Sequence, residues 1–181
     1  TAQIFMGSRI QCAKCHNHPF ENWTQRDYYR IGAVFHRISR KGGIVQVTNK
    51  GEMRHPRSGT VMLPWGMDRN APNSISTDRR QAFAAWLTAK DNKFFAKVEV
   101  NRIWAHLLGR GIVDPIDDFR SSNPPTNVPL LDALAQDFVR SDYDRKHMFR
   151  VICNSQTYQR STATNKYNVD DATLFSHAQI R

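Results

Sequence analysis

Cysteine is scarce in this chain, with three in 181 residues, and that number is too small and odd for a disulfide framework. Long apolar runs are missing: no stretch approaches the ~20 residues needed to cross a bilayer, so no membrane span is expected. The opening Thr1-Ala2-Gln3-Ile4-Phe5-Met6 is not a basic segment feeding an apolar one, so no signal peptide is expected within the chain. There is no initiator Met, and the sequence opens inside an amphipathic pattern. A piece of a longer polypeptide is therefore expected, with any targeting signal outside it. Internal repeats, phosphate loops, nucleophile elbows and dinucleotide fingerprints are absent from the sequence, so no standard enzyme motif declares itself.

Acidic residues are sparse in the first half. Residues 1–90 hold 14 basic and 5 acidic side chains, residues 91–181 hold 12 and 11, and the whole chain carries +10. A basic face speeds encounter with negative partners. Arg30, Arg37, Arg40 and Lys41 interleave with aromatics, yet no nucleic-acid module surrounds them. A docking face for an acidic partner protein is expected, and no nucleic acid.

What is present is mainly helical patterning. Residues 2–10 alternate at helical spacing, and Thr24 with Asp27 resembles a capping box for a helix over about 25–38. Gly42-Gly43 is read as its stop. Ile44–Thr48 and Glu52–His55 around Asn49-Lys50-Gly51 are read as a small β-hairpin. Residues 56–76, punctuated by prolines and glycines, form a long loop. Further helices are expected after Thr77-Asp78, over about 93–109, over 128–140 behind Asn123-Pro124-Pro125, and over about 145–155 capped by Asp144. The fold class is mainly α with a small β-hairpin.

Two of the three cysteines stand in Gln11-Cys12-Ala13-Lys14-Cys15-His16. Cys-x-x-Cys-His supports covalent haem c: each thiol adds to one vinyl group, and the adjacent His becomes the proximal axial ligand. Phe5, Met6, Ile10, Phe20, Trp23, Tyr28 and Phe35 are expected to wall the cofactor. A second reading is a structural zinc site of Cys12, Cys15 and His18, completed by His36 or His55, although no second Cys pair accompanies it. A thiol–disulfide redox pair is the weakest reading, because no βαβ unit precedes the motif. Cys153 sits in an apolar helical stretch and reads as a buried structural thiol.

With haem bound, His18 stands too close to His16 to reach the opposite haem face, and a hydrogen bond that orients the Cys–His turn is its expected task. Met62, Met67, His55 and His36 remain for the distal position. Met62 is favoured, because a thioether on a long loop suits a high-potential site. Asp114, Asp117 and Asp118 beside Arg110 and Arg120 read as an ion-pair network, and His106 and His147 as core-edge residues.

The run Cys12–Trp23 followed by Asp27-Tyr28-Tyr29 resembles the cytochrome c-like domain of large planctomycete and verrucomicrobial exported proteins. Asn101–Val113, Pro115–Arg120, Asn123-Pro124-Pro125 and Leu130-Leu131 resemble the domain of unknown function that follows it there, and Asp144–His147 with Ser155–Tyr158 extend the match. The resemblance implies a periplasmic or extracellular haem-bearing electron-transfer module, the central portion of a longer protein. It makes an electron carrier a better expectation than a self-contained enzyme. The expected division is a haem-binding helical segment at 1–66, a linker at 67–76 and a second helical segment at 77–181.

Overall fold

The computed structural model describes residues 1–48, 50–65 and 78–179. The structure is mainly α-helical with one two-stranded antiparallel hairpin, as the composition and patterning predict. Its elements, in chain order, are α1 (Ala2–Met6), a 3₁₀ turn (Gln11–Lys14), α2 (Gln25–Phe35), β1 (Ile38–Lys41), β2 (Ile44–Val47), α3 (Arg79–Leu87), α4 (Phe95–Leu108), α5 (Val128–Arg140) and α6 (Arg145–Cys153). They form two compact units, one of Thr1–Ser8 with Lys93–Arg181, the other of Arg9–Asn92.

In the first unit the apolar residues recur at helical spacing and meet in one core. Ala96, Val100, Ile103 and Trp104 of α4 pack with Leu131, Leu134, Ala135 and Phe138 of α5, Met148 and Ile152 of α6, and Ile112 and Val113 from the α4–α5 connection. Caps fix where the helices start. The Asn127 side chain accepts from the Leu130 amide and that of Asp144 from the Lys146 and His147 amides, satisfying donors that a helix start leaves orphaned. Asn101, fully buried, donates to the Val113 carbonyl and accepts from the Val113 amide, so it replaces a backbone partner for the connection. The expected helix over residues 2–10 is shorter, because Gly7 ends α1 in the left-handed conformation at φ +62°. A Cβ at Gly7 would lie 2.6 Å from Phe119 and 2.9 Å from Val98, so the position also needs the smallest residue.

In the second unit α2 starts where the sequence predicts. Thr24 accepts from the Asp27 amide while Asp27 accepts from the Thr24 amide, a complete capping box. The helix ends at Phe35, earlier than expected, because the chain turns at once into the hairpin. The expected strands are corrected too. The hairpin pairs Ile38 with Val47 and Lys41 with Ile44 around Gly42-Gly43, and Glu52–His55 is not a strand of it. Both glycines have positive φ, +58° and +83°, the pattern of a type I′ turn whose twist matches that of the strands. The glycine pair read as a helix stop is the hairpin's own turn. Of the sequence alternative, Asn49 lies outside the described residues.

Aromatic rings fill much of this small unit. Trp23 packs on Trp65 (5.7 Å between centroids), Trp65 on Trp86 (5.9 Å), Trp86 on Phe83 (5.6 Å) and Phe83 on Phe35 (6.2 Å). Arg30 lies over the Trp65 ring at 4.9 Å. Arg79, 8% exposed, donates to the Ala33 carbonyl at the end of α2 and, through Nη2, to both oxygens of Glu52, which also pairs with Arg37. A buried guanidinium needs these partners, and they join α3 to α2 and to the segment after the hairpin.

Candidate functional site

The Cys12–His16 segment is a tight turn between Ile10 and α2. The Ala13 amide donates to the Ile10 carbonyl (3.0 Å), and Ala13, fully buried, points the turn's apolar side into the unit. A 3₁₀ helix has three residues per turn, so side chains at i and i+3 eclipse. Cys12 lies within this turn and Cys15 caps it with near-helical dihedrals, so the spacing brings the two toward one side, and both are exposed free thiols.

Three side chains from outside the turn hold it. Gln25, the first residue of α2 and 7% exposed, donates from Nε2 to the Lys14 carbonyl (2.8 Å), while its amide donates to Oδ1 of Asn17 (3.0 Å). The Tyr29 hydroxyl reaches the same Lys14 carbonyl at 3.4 Å. Arg57 donates to the Cys15 carbonyl at 3.5 Å, which brings the 53–62 loop beside the turn. Gln25 was not singled out by the sequence. Its only signal is a polar residue directly after an N-cap, which alone says nothing of burial.

The histidines of the unit divide by tautomer. His16, exposed, has Nδ1 2.6 Å from the Asn17 carbonyl. A carbonyl only accepts, so Nδ1 carries the proton and Nε2 presents its lone pair outward. His18 is the reverse: its Nδ1 accepts from the Phe20 amide (3.2 Å), and its own amide donates to the Trp23 carbonyl (2.7 Å), closing the turn that follows the motif. His55 is likewise an acceptor at Nδ1, from the amides of Arg57 and Ser58 (3.3 and 3.4 Å). In the neutral ring, Nε2 of His18 and of His55 is then the protonated nitrogen. His36 is exposed at the start of the hairpin, where the Gly51 backbone packs near its ring.

Met62, the expected distal residue, is 3% exposed and fixed by its amide, which donates to the Met53 carbonyl (2.8 Å). It belongs to the loop that Arg57 ties to Cys15. Met67 and the expected linker 67–76 lie outside the described residues. Of the expected aromatic wall, Phe5 and Met6 fold in the other unit, Phe5 against Phe95 and Met6 fully buried. Ile10 is buried, Phe20 is 72% exposed, and Trp23 is taken up by Trp65. Among the described residues no three His, Cys, Asp or Glu side chains group as a ligand set for a metal ion.

Several charged groups elsewhere form ion pairs. Arg110 with Asp114 (3.8 Å) and Arg120 with Asp118 (3.0 Å) form ion pairs, and Gln3 donates to Asp117. His147 meets Asp137 at 2.7 Å on the surface of α5 and α6, while His106 is exposed. Arg37, expected on the docking face, is 13% exposed and engaged by Glu52.

Residues 79–181 match the family model described as a protein of unknown function (DUF1553), and residues 1–40 match a second, also described as a protein of unknown function (DUF1549). No curated protein and no solved structure matches the chain.

Proposed function

Since the chain belongs to the DUF1553 family of proteins of unknown function, its activity has to be sought in its own residues, and we propose a c-type cytochrome module that carries one covalent haem and passes single electrons. The observation that carries this reading is the opposite surroundings of the Nδ1 atoms of His16 and His18, a backbone carbonyl beside one and a backbone amide beside the other. A ligating imidazole donates its second N–H to a carbonyl or carboxylate. His16 does so, to Asn17, and offers Nε2. The Nδ1 lone pair of His18 is taken up by the Phe20 amide, so in this arrangement it is not offered to the Cys12, Cys15, His18 zinc alternative. Cys12 and Cys15, brought toward one side of the turn, suit two thioether attachments, and the adjacent His16 suits the iron.

Haem bound there would supply a one-electron couple whose potential follows its axial ligands and their surroundings. The chain's own part is positional. Gln25 and Tyr29 hold the Lys14 carbonyl, and Asn17 holds both Gln25 and the His16 ring, so the turn is fixed before anything attaches. For the distal side the Nδ1 lone pair of His55 is engaged by the Arg57 and Ser58 amides, and Met62 is the ligand proposed. An acidic redox partner would approach the exposed turn itself, where Lys14 and Arg57 flank the cysteines. Because covalent attachment needs reduced thiols and haem delivered outside the cytoplasmic membrane, the module works in the periplasm or beyond.

Expression with a haem c maturation system tests this. A pyridine haemochrome of the two-thioether type is expected in the parent, and its loss in Cys12→Ser with Cys15→Ser. Stoichiometric zinc with no haemochrome would establish the rival.

A further inference from the structure

The hairpin is not used by the haem reading, and its composition is unlike that of a solvated turn. From Ser39 to Val47 every residue is exposed, with Ile44 and Val45 at 62% and Val47 at 47%. In the observed register Ile38, Arg40, Val45 and Val47 share one face, and Lys41 with Ile44 flanks the tip on the other. A Cβ at Gly42 or Gly43 would meet nothing within 4 Å, so the tip projects into open space. No acidic residue lies between Asp27 and Glu52, whereas Arg40, Lys41 and Lys50 are exposed there.

A partner for this hairpin must attract cations and also cover aliphatic side chains on both faces of a projecting tip. A folded protein surface covers one face of a hairpin laid on it. A polyanionic polymer attracts the cations and leaves Ile44, Val45 and Val47 in water. A bilayer surface of anionic lipid meets all the demands: headgroup phosphates meet Arg40 and Lys50, Lys41 at the tip extends its long side chain back to them, and the acyl boundary receives the aliphatic side chains of both faces. The length agrees, since four-residue strands span about 13 Å and interfacial insertion is roughly 5–10 Å deep. We propose that the Ile38–Val47 hairpin seats the protein on an anionic lipid surface, independently of the haem reading.

Co-sedimentation of the full chain with vesicles tests this, using phosphatidylcholine alone and an equimolar mixture with phosphatidylglycerol. Affinity for the mixed vesicles is expected to be at least about tenfold above that for phosphatidylcholine, and to fall about tenfold in Ile44→Ser/Val45→Ser and in Arg40→Glu/Lys41→Glu. Both pairs lie on the exposed hairpin, and an unchanged circular dichroism spectrum checks their fold. A measurement that needs no variant is amide exchange of residues 38–47 in the parent, which should slow on mixed vesicles. Absent binding, equal binding to both vesicle types, or no added amide protection would overturn the proposal. So would loss in the charge-reversed variant with none in Ile44→Ser/Val45→Ser, an outcome that would mark the hairpin as a docking site for an acidic protein instead.

Discussion

An imidazole can give a lone pair to a metal from Nε2 only when the proton resides on Nδ1, and backbone neighbours decide where it resides. His16 beside the Asn17 carbonyl and His18 beside the Phe20 amide are two residues apart and take opposite forms. The sequence separates their expected tasks, proximal ligand and orienting neighbour; only placed backbone gives their hydrogen-bond partners. Gln25 was equally illegible, although its side chain closes the turn. Gln25→Leu is expected to cost about 1 kcal/mol in stability, read by denaturant midpoint, because it removes one hydrogen bond and keeps the volume. At Met62 packing and ligation are separable. Met62→Ala should cost roughly 2–5 kcal/mol whatever the sulfur does, since the side chain is buried. Met62→Leu should keep stability within about 1.5 kcal/mol while abolishing a thioether–iron band and lowering the potential. A Leu variant with an unaltered spectrum and potential would remove Met62 from the iron.

At the scale of elements, caps were the most legible feature and turns the least. Asp144 and the Thr24–Asp27 box place helix starts that local hydrogen bonds decide, and α5, which Asn127 caps, runs over the residues expected. The hairpin was displaced because a glycine pair ends helices and also builds type I′ turns, and which it does depends on the strands that flank it. Gly7 is the stricter glycine: Gly7→Ala combines a left-handed backbone with a clash on Phe119 and Val98, and should cost about 2 kcal/mol or more by thermal unfolding. The contact of Glu52 with Arg79 and Arg37 gives the second unit a pH dependence. Burial raises the Glu52 pKa, but hydrogen bonds from Arg79 and Arg37 outweigh it, and the net shift is below the usual glutamate value of 4.5. A carboxyl whose folded pKa is depressed contributes stability that is complete above its unfolded value and is lost as pH falls through the folded one. Chemical denaturation should therefore show the second unit weakening below about pH 4.5, and Glu52→Gln should flatten that slope. An equal slope in the variant would place the titration elsewhere.

Across the whole molecule, the unit of residues 9–92 holds 14 basic and 6 acidic side chains, and the other unit 12 and 10. The charge asymmetry of the sequence thus survives in the folded units, and the exposed cysteines lie on the more basic one. Exposed charges are screened beyond about 8 Å at physiological salt, so electron transfer to an acidic acceptor should slow as salt rises, with no change in the haem spectrum. Lys14→Glu with Arg57→Glu should lower the association rate about tenfold or more by stopped flow. A rate indifferent to both would assign the charge to solubility. Which residues gather in which unit was only partly legible, because α1 precedes the Cys turn closely in sequence yet folds with α4. The central claim, a haem held by two thioether bonds, is tested most directly by the intact mass of the denatured protein matured with haem. One haem added to the chain, retained after acid and organic solvent and lost in Cys12→Ser/Cys15→Ser, is the result expected; the bare polypeptide mass would contradict it.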